Sequence, residues 1–598
     1  MSHEGRTIPS VDISPMFARY LPMDLSIFSR AIVGWRAFEA SLPRQPAPLL
    51  IPVVGPALAT FLEQVTKVTK ITPGPFRILS AELIGYPISA LYRFLFPPKP
   101  VERDADGNVV AKKSTFWKEL YIVAFGTAIA LYYCKFDISE FSHSLANTAA
   151  TWGVLYLGTR AGVNRTYLAV AVWIFQSLHI GWAYAVASIK TSNAYDSNFL
   201  TPHCVLYLKL VALAMDYMDG ARHKTFKTPA QHHSRPWGHA YKAQDQPIEE
   251  LPSLFSTLGY VYFWGGFLVG PQFRYQRYKR WLTGELFEQE RLAEEAEAKE
   301  PDAAALAKSR ASRASPWPYT LQCLVLGGAY LAVYQAGNIM GLHFSQIAKL
   351  DFPQRFPQLW QRWVFMWFCG KVSLSKFLGT WKLTEGVVAL AGLGYDGRRQ
   401  IPDKVGTVAD WSALHNVNPA LFETPFSLQD YISSFNINTN LWTREYIYTR
   451  VRPVVGDRRI ALGSSMLFLA LWHGWDAGYF LTFLFEFLDV EAERMLKRHL
   501  GDHIWKWIND NSTSTLARFV VFPVYRAGCY VMSSFTLLYA LIPFDLLQWD
   551  LTMAAWRNLG WVGHWEIAFV FAADGLLNAV GSITKKKPSK IEAKKKDN

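Results

Sequence analysis

The chain has 598 residues, of which 51% are hydrophobic and 15% aromatic, and its formal net charge is +13. Its apolar residues gather into segments of about 17–25 residues, which is the length that a helix needs to cross the hydrocarbon core of a bilayer. This arrangement argues against a soluble multidomain protein and predicts an all-α, polytopic transmembrane protein. The basic residues concentrate in polar loops and at the C-terminus, without interleaved aromatic residues. That distribution favours contact with anionic membrane lipids over binding of nucleic acid.

The N-terminal extension, residues 1–75, begins with the polar stretch MSHEGRTIPSVDISP. It lacks the charged and then apolar pattern of a signal peptide, so we expect the first spanning helix to direct insertion. A membrane domain is predicted over residues 76–581, with about eleven spanning helices. The clearest segments lie near 76–97, 117–134, 164–188, 203–219, 253–272, 318–341, 360–379, 462–488, 519–545 and 566–581.

Two polar inserts, 220–251 and 274–317, interrupt the membrane domain. The first insert contains four histidines, His223, His232, His233 and His239. Because they show no ligand spacing, a solvated loop is favoured over a metal site. The chain contains five cysteines, Cys134, Cys204, Cys323, Cys369 and Cys529. They are far apart and mostly in apolar segments, which predicts structural thiols rather than a disulfide framework or a metal site.

A fourth polar stretch, residues 395–461, is too long and too mixed to be an ordinary loop. It contains short apolar turns such as 428-LQDYISSFNINTNLW-442. Non-helical backbone at membrane depth is tolerated only where it is buried in protein or lines a cavity. Three asparagines, Asn436, Asn438 and Asn440, fall within five residues of this stretch. Their side chains can contact a polar substrate, or they can cap and turn the backbone.

His473 lies in the otherwise apolar stretch 469-LALWHGWDAGYF-480, within the helix predicted over 462–488. Two interpretations are open: a histidine hydrogen-bonded between helices, or a functional group, because ionisable side chains inside a membrane are costly. Gly474 and Gly478 allow close approach of backbone or ligand. Asp476 is a second ionisable group within one helical turn. Aromatic side chains with polar tips surround the histidine in sequence, Trp472, Trp475 and Tyr479.

The blocks FNINTNLW and LWHGWDAGYF, in this order and spacing, closely resemble the membrane-bound O-acyltransferase (MBOAT) family. The form WHGxxxGYxxxF, completed by Phe483, resembles its lysophospholipid acyltransferase branch. Three further blocks agree, 201-TPHCVLYLKLVALAMDYMDG-220, 265-GGFLVGPQF-273 and 384-TEGVVALAGLGYDG-397. The resemblance implies an MBOAT fold of about eleven membrane helices around a buried catalytic chamber, with 76–581 as the catalytic domain. It also implies that His473 and Asn436 are catalytic. We further predict that four neighbouring residues bind substrate, Trp472, Tyr479, Asn438 and Trp442.

The implied activity is acyl transfer from acyl-CoA to a lysophospholipid that arrives from the bilayer, with lysophosphatidylcholine as the expected acceptor. Neutral histidine can remove the hydroxyl proton, and an asparagine amide can stabilise the oxyanion or orient the reacting groups. The expected reaction needs no metal or prosthetic group and, since the chain has no GxSxG elbow, no acyl-enzyme. Two alternatives remain: a different acceptor, such as a sterol, a diacylglycerol or a protein, and a non-enzymatic channel or transporter.

The C-terminal segment, residues 582–598, is strongly basic and ends 585-KKKPSKIEAKKKDN-598. Lys595 and Lys596 resemble the dilysine retrieval signal that the coat of returning vesicles reads. Such a signal is a receptor-read address. The tail therefore predicts a multi-pass protein of the endoplasmic reticulum membrane with a cytosolic C-terminus, and the vesicle coat as a partner.

Overall fold

The computed structural model of the chain describes residues 73–97, 101, 113–134, 138–190, 200–223, 247–288, 315–400 and 407–585, with isolated residues between 61 and 68. Most of the extension 1–75 lies outside the described residues. The middle of both polar inserts also lies outside them, and this includes His232, His233 and His239. The same holds for most of the tail 582–598, including its dilysine. The predicted boundaries of the extension, the catalytic domain and the tail therefore stay predictions.

The described chain is mainly helical. In chain order its first helices are α1 Pro73–Leu95, α2 Lys113–Tyr133, α3 Ile138–Arg160, α4 Arg165–Lys190, α5 Leu200–His223, α6 Leu254–Val261 and α7 Tyr275–Thr283. A 3₁₀ turn, Glu285–Phe287, follows α7. The next helices are α8 Trp317–Ile339, α9 Phe344–Ile347, α10 Phe352–Arg355 and α11 Leu359–Ala391.

Two short strands follow, β1 Arg398–Gln400 and β2 Thr407–Ala409, paired antiparallel with Arg399 opposite Val408. The remaining α-helices are α12 Pro419–Glu423, α13 Leu428–Ser434, α14 Ile437–Thr443, α15 Thr449–Val455, α16 Arg458–His473, α17 Ala477–Leu496, α18 Asp502–Asp510, α19 Phe522–Leu546, α20 Trp549–Asn558 and α21 Val562–Lys585. Single π-helical turns lie at Arg444–Tyr448, Lys497–Gly501 and Ala517–Val521.

Three helical stretches of the described chain are long and apolar enough to cross a membrane, Arg165–Ala185, Trp317–Ile347 and Ala517–Leu546. Other long helices coincide with predicted spans but carry charged residues that lower their hydropathy. Several of those charges are buried inside the protein: Lys209 is 1% exposed, Asp216 0% and Glu385 2%. Intramembrane charges that face the protein interior are paired or bonded to backbone, and here Lys209 donates to the carbonyls of Tyr260 and Val261. The count of about eleven spanning helices stays a prediction.

Helix α3 was not predicted from the pattern of apolar segments, because its buried face is polar. Gln176 of α4 donates to the side-chain oxygens of Asn147 and Thr151 of α3 at 2.6 and 2.7 Å. The Asn147 NH₂ group donates back to Gln176 at 3.2 Å. Asn147, Thr151 and Gln176 are all buried. Hydrogen bonds of this kind hold membrane helices together where apolar packing alone gives little preference.

The span predicted near 253–272 is wrong as a continuous helix. Helix α6 ends at Val261, and the chain then turns irregularly through Gly265, Gly266 and Gly270. Gly270 has φ +89°, a conformation that only glycine adopts readily. This backbone is buried by other helices, so its polar groups are kept from lipid.

Candidate active site

The apolar stretch that carries His473 is two helices rather than the single helix predicted over 462–488. Helix α16 ends at His473, and Gly474 follows with φ 148° and ψ −171°. A side chain there would be strained, and its Cβ would lie 2.8 Å from the Tyr479 ring. Asp476 precedes α17 as its N-cap residue and is exposed, so it does not share a helical face with His473. The break places the imidazole at a helix terminus.

Aromatic rings surround the imidazole of His473. The rings of Tyr479 and Phe483, both from α17, lie nearly parallel to it with centroids 5.5 Å away. Phe544 of α19 meets it edge-on at 5.0 Å. Trp475, which the sequence placed in this wall, is 55% exposed. In the described part of the chain the imidazole nitrogens make no hydrogen bond, so the ring is held by packing and its nitrogens remain available.

The peptide that precedes His473 is fixed by two earlier helices. The Tyr184 hydroxyl of α4 donates to the carbonyl of Trp472 and lies 3.0 Å from the Cys204 sulfur of α5. That sulfur is 3.8 Å from the same carbonyl. The last four carbonyls of a helix lack intrahelical partners, so a hydroxyl from a neighbouring helix can cap them. Tyr184 therefore fixes the terminus on which the imidazole stands.

Asn436 lies at the break between two short helices in the predicted re-entrant stretch. Helix α13 ends at Ser434, Phe435 is extended and forms an isolated bridge with Val417, and α14 starts at Ile437. Asn436 is the N-cap of α14 with φ 46° and ψ 46°. Asparagine is among the few residues other than glycine that tolerate this left-handed conformation.

The three asparagines of this stretch differ in how their amide groups are used. Asn438 donates to the carbonyls of Leu414 and His415 at 3.3 and 3.0 Å. Asn440 donates to the carbonyls of Ile432 and Phe435 at 2.7 and 2.8 Å. The Asn436 carboxamide only accepts, and among the described residues its NH₂ group has no acceptor. Asn438 and Asn440 therefore brace the backbone, while Asn436 keeps two donor hydrogens for another molecule.

The two sequence blocks dock on adjacent turns of α5. The Trp442 indole donates to the carbonyl of Leu208 at 3.0 Å, and the Trp472 indole donates to the carbonyl of Cys204 at 3.1 Å. Residues four apart in a helix are about 6 Å apart along its axis. No described contact joins His473 directly to Asn436. Instead, the segments that carry His473 and Asn436 both bind to α5, through Trp472 and Trp442.

A buried charge network ties the chain after Asn436 to the end of α5. The Tyr446 hydroxyl donates to Asp216 at 2.7 Å, and Arg274 lies 3.4 Å from the same carboxylate oxygen. One turn further along α5, Asp219 pairs with Arg450 at 2.7 Å. Breaking one partner of a buried pair is strongly destabilising, so these contacts hold α14 and α15 in register with α5.

The predicted substrate-binding residues lie near His473 or Asn436, and three of them already use a polar group in a hydrogen bond within the protein. Trp442 and Trp472 donate to α5, Asn438 donates to backbone, and the Tyr479 ring packs on His473. Their role in substrate binding stays a prediction. Across the described ranges, no group of three or more histidine, cysteine or acidic side chains could hold a metal ion.

Two residues of the site escaped the sequence analysis, Tyr184 and Asn416. Tyr184 is one of many aromatic residues in an apolar helix, and Asn416 lies in the unremarkable polar stretch HNVNP. No pattern in the neighbouring sequence indicates a role for either residue, because their partners Trp472 and Glu385 are 288 and 31 residues away in the chain. Their importance is visible only from the hydrogen bonds.

Known proteins are similar in sequence to the part of this chain that carries Asn436 and His473. The sequence model of the membrane-bound O-acyltransferase family matches residues 184–541, which include both Asn436 and His473. The chain is 30% identical over 492 residues to lysophospholipid acyltransferase 5 of Bos taurus, covering 82% of this chain and 86% of that protein. It is 30% identical over 440 residues to lysophospholipid acyltransferase 5 of Drosophila melanogaster, covering 73% and 75%. It is 26% identical over 404 residues to the lysophospholipid acyltransferase of Schizosaccharomyces pombe, covering 67% and 71%. The chain belongs to the membrane-bound O-acyltransferase family.

Proposed function

We propose that this chain is an acyl-CoA-dependent lysophospholipid acyltransferase that re-acylates lysophosphatidylcholine and related lysophospholipids. The observation that carries the proposal is the pair of unused polar groups, the His473 imidazole and the Asn436 NH₂, in a chain of this family. The matched relatives carry the name lysophospholipid acyltransferase, which favours a lysophospholipid over a sterol, a diacylglycerol or a protein as acceptor.

In the proposed mechanism His473 acts as a general base. It accepts the proton of the lysophospholipid hydroxyl while that oxygen attacks the thioester carbon of acyl-CoA. The tetrahedral intermediate collapses as its carbon–sulfur bond breaks, and the proton held by His473 passes to the leaving sulfur, which gives free CoA thiol. General acid–base catalysis of this kind contributes about 10²–10⁴-fold.

Asn436 is the second catalytic residue in the proposal. Its NH₂ group would donate to the thioester oxygen as negative charge develops there. The left-handed backbone at Asn436 helps to fix this donor before substrate arrives. A donor positioned in advance needs no reorganisation during the reaction, which is the source of its effect. No metal or prosthetic group enters these steps.

The aromatic surroundings of His473 support a reaction shielded from water. The rings of Tyr479, Phe483 and Phe544 cover the imidazole on several sides. Water competes with the lipid hydroxyl for the thioester, so a site that excludes it favours transfer over hydrolysis. Acyl-CoA would enter from the cytosol and the lysophospholipid from the bilayer.

The proposal includes an endoplasmic reticulum location, a cytosolic C-terminus and about eleven spanning helices. Lys595 and Lys596 in the basic tail support the location, since they fit the dilysine address read by the vesicle coat. Long helices whose charges are turned inward, such as α5 with Lys209 and Asp216, support a larger number of spans than hydropathy alone indicates.

The test is acyl transfer by the purified protein in detergent or nanodiscs. Radiolabelled acyl-CoA is supplied with lysophosphatidylcholine, other lysophospholipids, cholesterol or diacylglycerol, and labelled products are separated. We expect labelled phospholipid from the wild type and a loss of about 10²–10⁴-fold in His473→Ala. His343→Ala is the matched control, because His343 lies in the turn before α9 and has no described contact with His473 or Asn436. Transfer only to cholesterol or diacylglycerol, or equal activity of His473→Ala and wild type, would contradict the proposal.

A further inference from the structure

We infer that Asn416 is a positioning residue for acyl transfer, which fixes the carboxamide of Asn436 so that its NH₂ group, and not its oxygen, faces the reacting carbonyl. The inference rests on the proposed function and decides how Asn436 takes part in it. Asn416 lies in the segment between β2 and α12 and is 2% exposed.

The backbone of Asn416 is anchored to the long helix α11. Its N–H donates to Glu385 Oε1 at 2.5 Å, and the N–H of Val417 donates to the same oxygen at 3.0 Å. The other oxygen of Glu385 pairs with Lys382, one turn earlier on α11. Charge-assisted hydrogen bonds of this kind are about twice as strong as neutral ones. The backbone of Asn416 is therefore held against α11 by bonds that do not involve α14.

From this anchor Asn416 holds the first turn of α14. Its carbonyl accepts from the N–H of Ile437 at 3.0 Å, and its side-chain oxygen accepts from the N–H of Asn438 at 2.9 Å. The first N–H groups of a helix have no intrahelical acceptor. Asn416 provides the acceptor for two of these N–H groups. These bonds fix the two peptide groups that directly follow Asn436.

The same bonds determine which way each carboxamide points. A backbone N–H can only donate, so the Asn416 atom that meets the N–H of Asn438 must be its oxygen. The other terminal atom of Asn416 is then its NH₂ nitrogen, which lies 3.3 Å from the Asn436 side chain. A nitrogen that can only donate requires an acceptor opposite it, so the Asn436 atom in this contact is its oxygen. The NH₂ group of Asn436 is therefore directed away from Asn416.

This orientation selects one of two roles for Asn436. A carboxamide that presents its oxygen could orient the attacking hydroxyl or the imidazole by accepting a hydrogen bond from it. A carboxamide that presents its NH₂ group can donate to the thioester oxygen, where negative charge develops. The contact with Asn416 fixes the second arrangement.

The experiment compares Asn416→Ala with Asn440→Ala, in purified full-length protein in nanodiscs. Both substitutions remove side-chain bonds that brace the same stretch, but only Asn416 touches the Asn436 carboxamide. Acyl transfer is measured as kcat and KM for acyl-CoA per folded molecule, with folded protein counted by size-exclusion chromatography. For Asn416→Ala we expect kcat to fall about tenfold or more with KM changed by no more than about twofold. Asn440→Ala should lower the yield of folded protein and leave kcat near that of the wild type.

A double-mutant cycle and a second variant complete the test. If Asn416 acts through Asn436, Asn416→Ala/Asn436→Ala should be no slower than Asn436→Ala alone. Fully additive losses, a wild-type kcat for Asn416→Ala, or equal kcat losses in Asn416→Ala and Asn440→Ala would overturn the inference. If Asn416→Ala does not fold, Asn436→Asp is the second variant. The aspartate side chain still offers an oxygen to the Asn416 NH₂ group, and this hydrogen bond favours the carboxylate form of the aspartate. It has no NH₂ group of its own to donate to the thioester oxygen. Inactivity at pH 8 supports the donor role, and activity within about threefold of the wild type overturns it.

Failure of the proposed function gives a different result. Without acyl transfer by the wild type to any lysophospholipid, the proposed function falls and this inference falls with it. With an active wild type, an inactive Asn436→Ala and an unaffected Asn416→Ala, only the positioning role of Asn416 is lost.

Discussion

Gly478→Ala tests whether the packing of α17 on α19 sets the position of His473. Gly478 is in the first turn of α17, and a Cβ built on it would lie 2.1 Å from the carbonyl oxygen of Pro543. Carbon–oxygen contacts that are not strained begin at about 3.3 Å, so the start of α17 must retreat by about 1.2 Å. The atoms that Cβ would meet are backbone, including Leu547 Cα at 2.8 Å, so no side-chain rotation relieves the clash. The next residue, Tyr479, carries the ring that lies against His473.

We expect two measurable consequences. Overpacking of this kind costs about 1–3 kcal/mol of the free energy of unfolding, so thermal unfolding in detergent should shift to lower temperature. A displacement of about 1 Å beside the reacting groups can cost about 10²-fold in rate, so kcat per folded molecule should fall by that order. Both are measured on purified protein, thermal unfolding by tryptophan fluorescence and kcat with labelled acyl-CoA.

Gly463→Ala is the matched control, because it lies on α16, the helix that carries His473. The nearest atom to its Cβ would be 4.0 Å away, in Phe487, which is an ordinary contact. The control should be as active as the wild type and no less stable, since alanine favours a helix more than glycine does. If Gly478→Ala retained kcat within about twofold and the same unfolding temperature, the close packing at this position would not govern the site.

Three further predictions separate the roles of other residues. Asn436→Ala should lose at least about tenfold in kcat per folded molecule, and Asn440→Ala less, since only Asn436 has an unused NH₂ group. The reverse ranking would move the catalytic assignment. Tyr184→Phe should lower kcat by about tenfold without changing the amount of folded protein, because the Trp472 carbonyl loses its cap; unchanged kcat would refute this. Replacing Lys595 and Lys596 by serine should let protein leave the endoplasmic reticulum, seen by microscopy, with activity in isolated membranes unchanged. Complete retention would show that the dilysine is not the sole address.

Composition alone could draw attention to His473 and to the cluster Asn436, Asn438 and Asn440, because both contrast with their surroundings. The choice of Asn436 within that cluster came from the family resemblance. An imidazole in an apolar run is costly to bury, and asparagines at every second position next to a membrane segment are uncommon. The long helices could also be placed, since a length of about 20 apolar residues is a strong signal. Hydropathy failed for α3, whose buried polar residues bond to α4, and for α6, where glycines end the helix early. A hydropathy average records neither a polar helix face that is buried by a neighbouring helix nor a break in the backbone at glycine.

The working arrangement of the site depends on contacts across long sequence distances. Gly474 in 469-LALWHGWDAGYF-480 showed that close approach was possible, but not that it ends the helix immediately after His473. The asparagines in FNINTN look equivalent in sequence. Only the bonds from Asn438 and Asn440 to backbone carbonyls distinguish them from Asn436. A sequence cannot give these pairings, because each requires the position of a carbonyl on another element.

The docking of two indoles on α5 has a consequence for biosynthesis. Trp442 and Trp472 follow their α5 acceptors by 234 and 268 residues. At about 5–20 residues per second, a ribosome needs on the order of 10–50 s to add that length of chain. During this time α5 is already made, while Tyr446 and Arg450, which bind its Asp216 and Asp219, do not yet exist. The nascent helix must keep those carboxylates out of lipid, in the translocation machinery or near the membrane surface, until its partners arrive. Shortening that interval by circular permutation, with α14–α17 placed before α5, should therefore speed the appearance of assembled protein in a pulse-chase experiment.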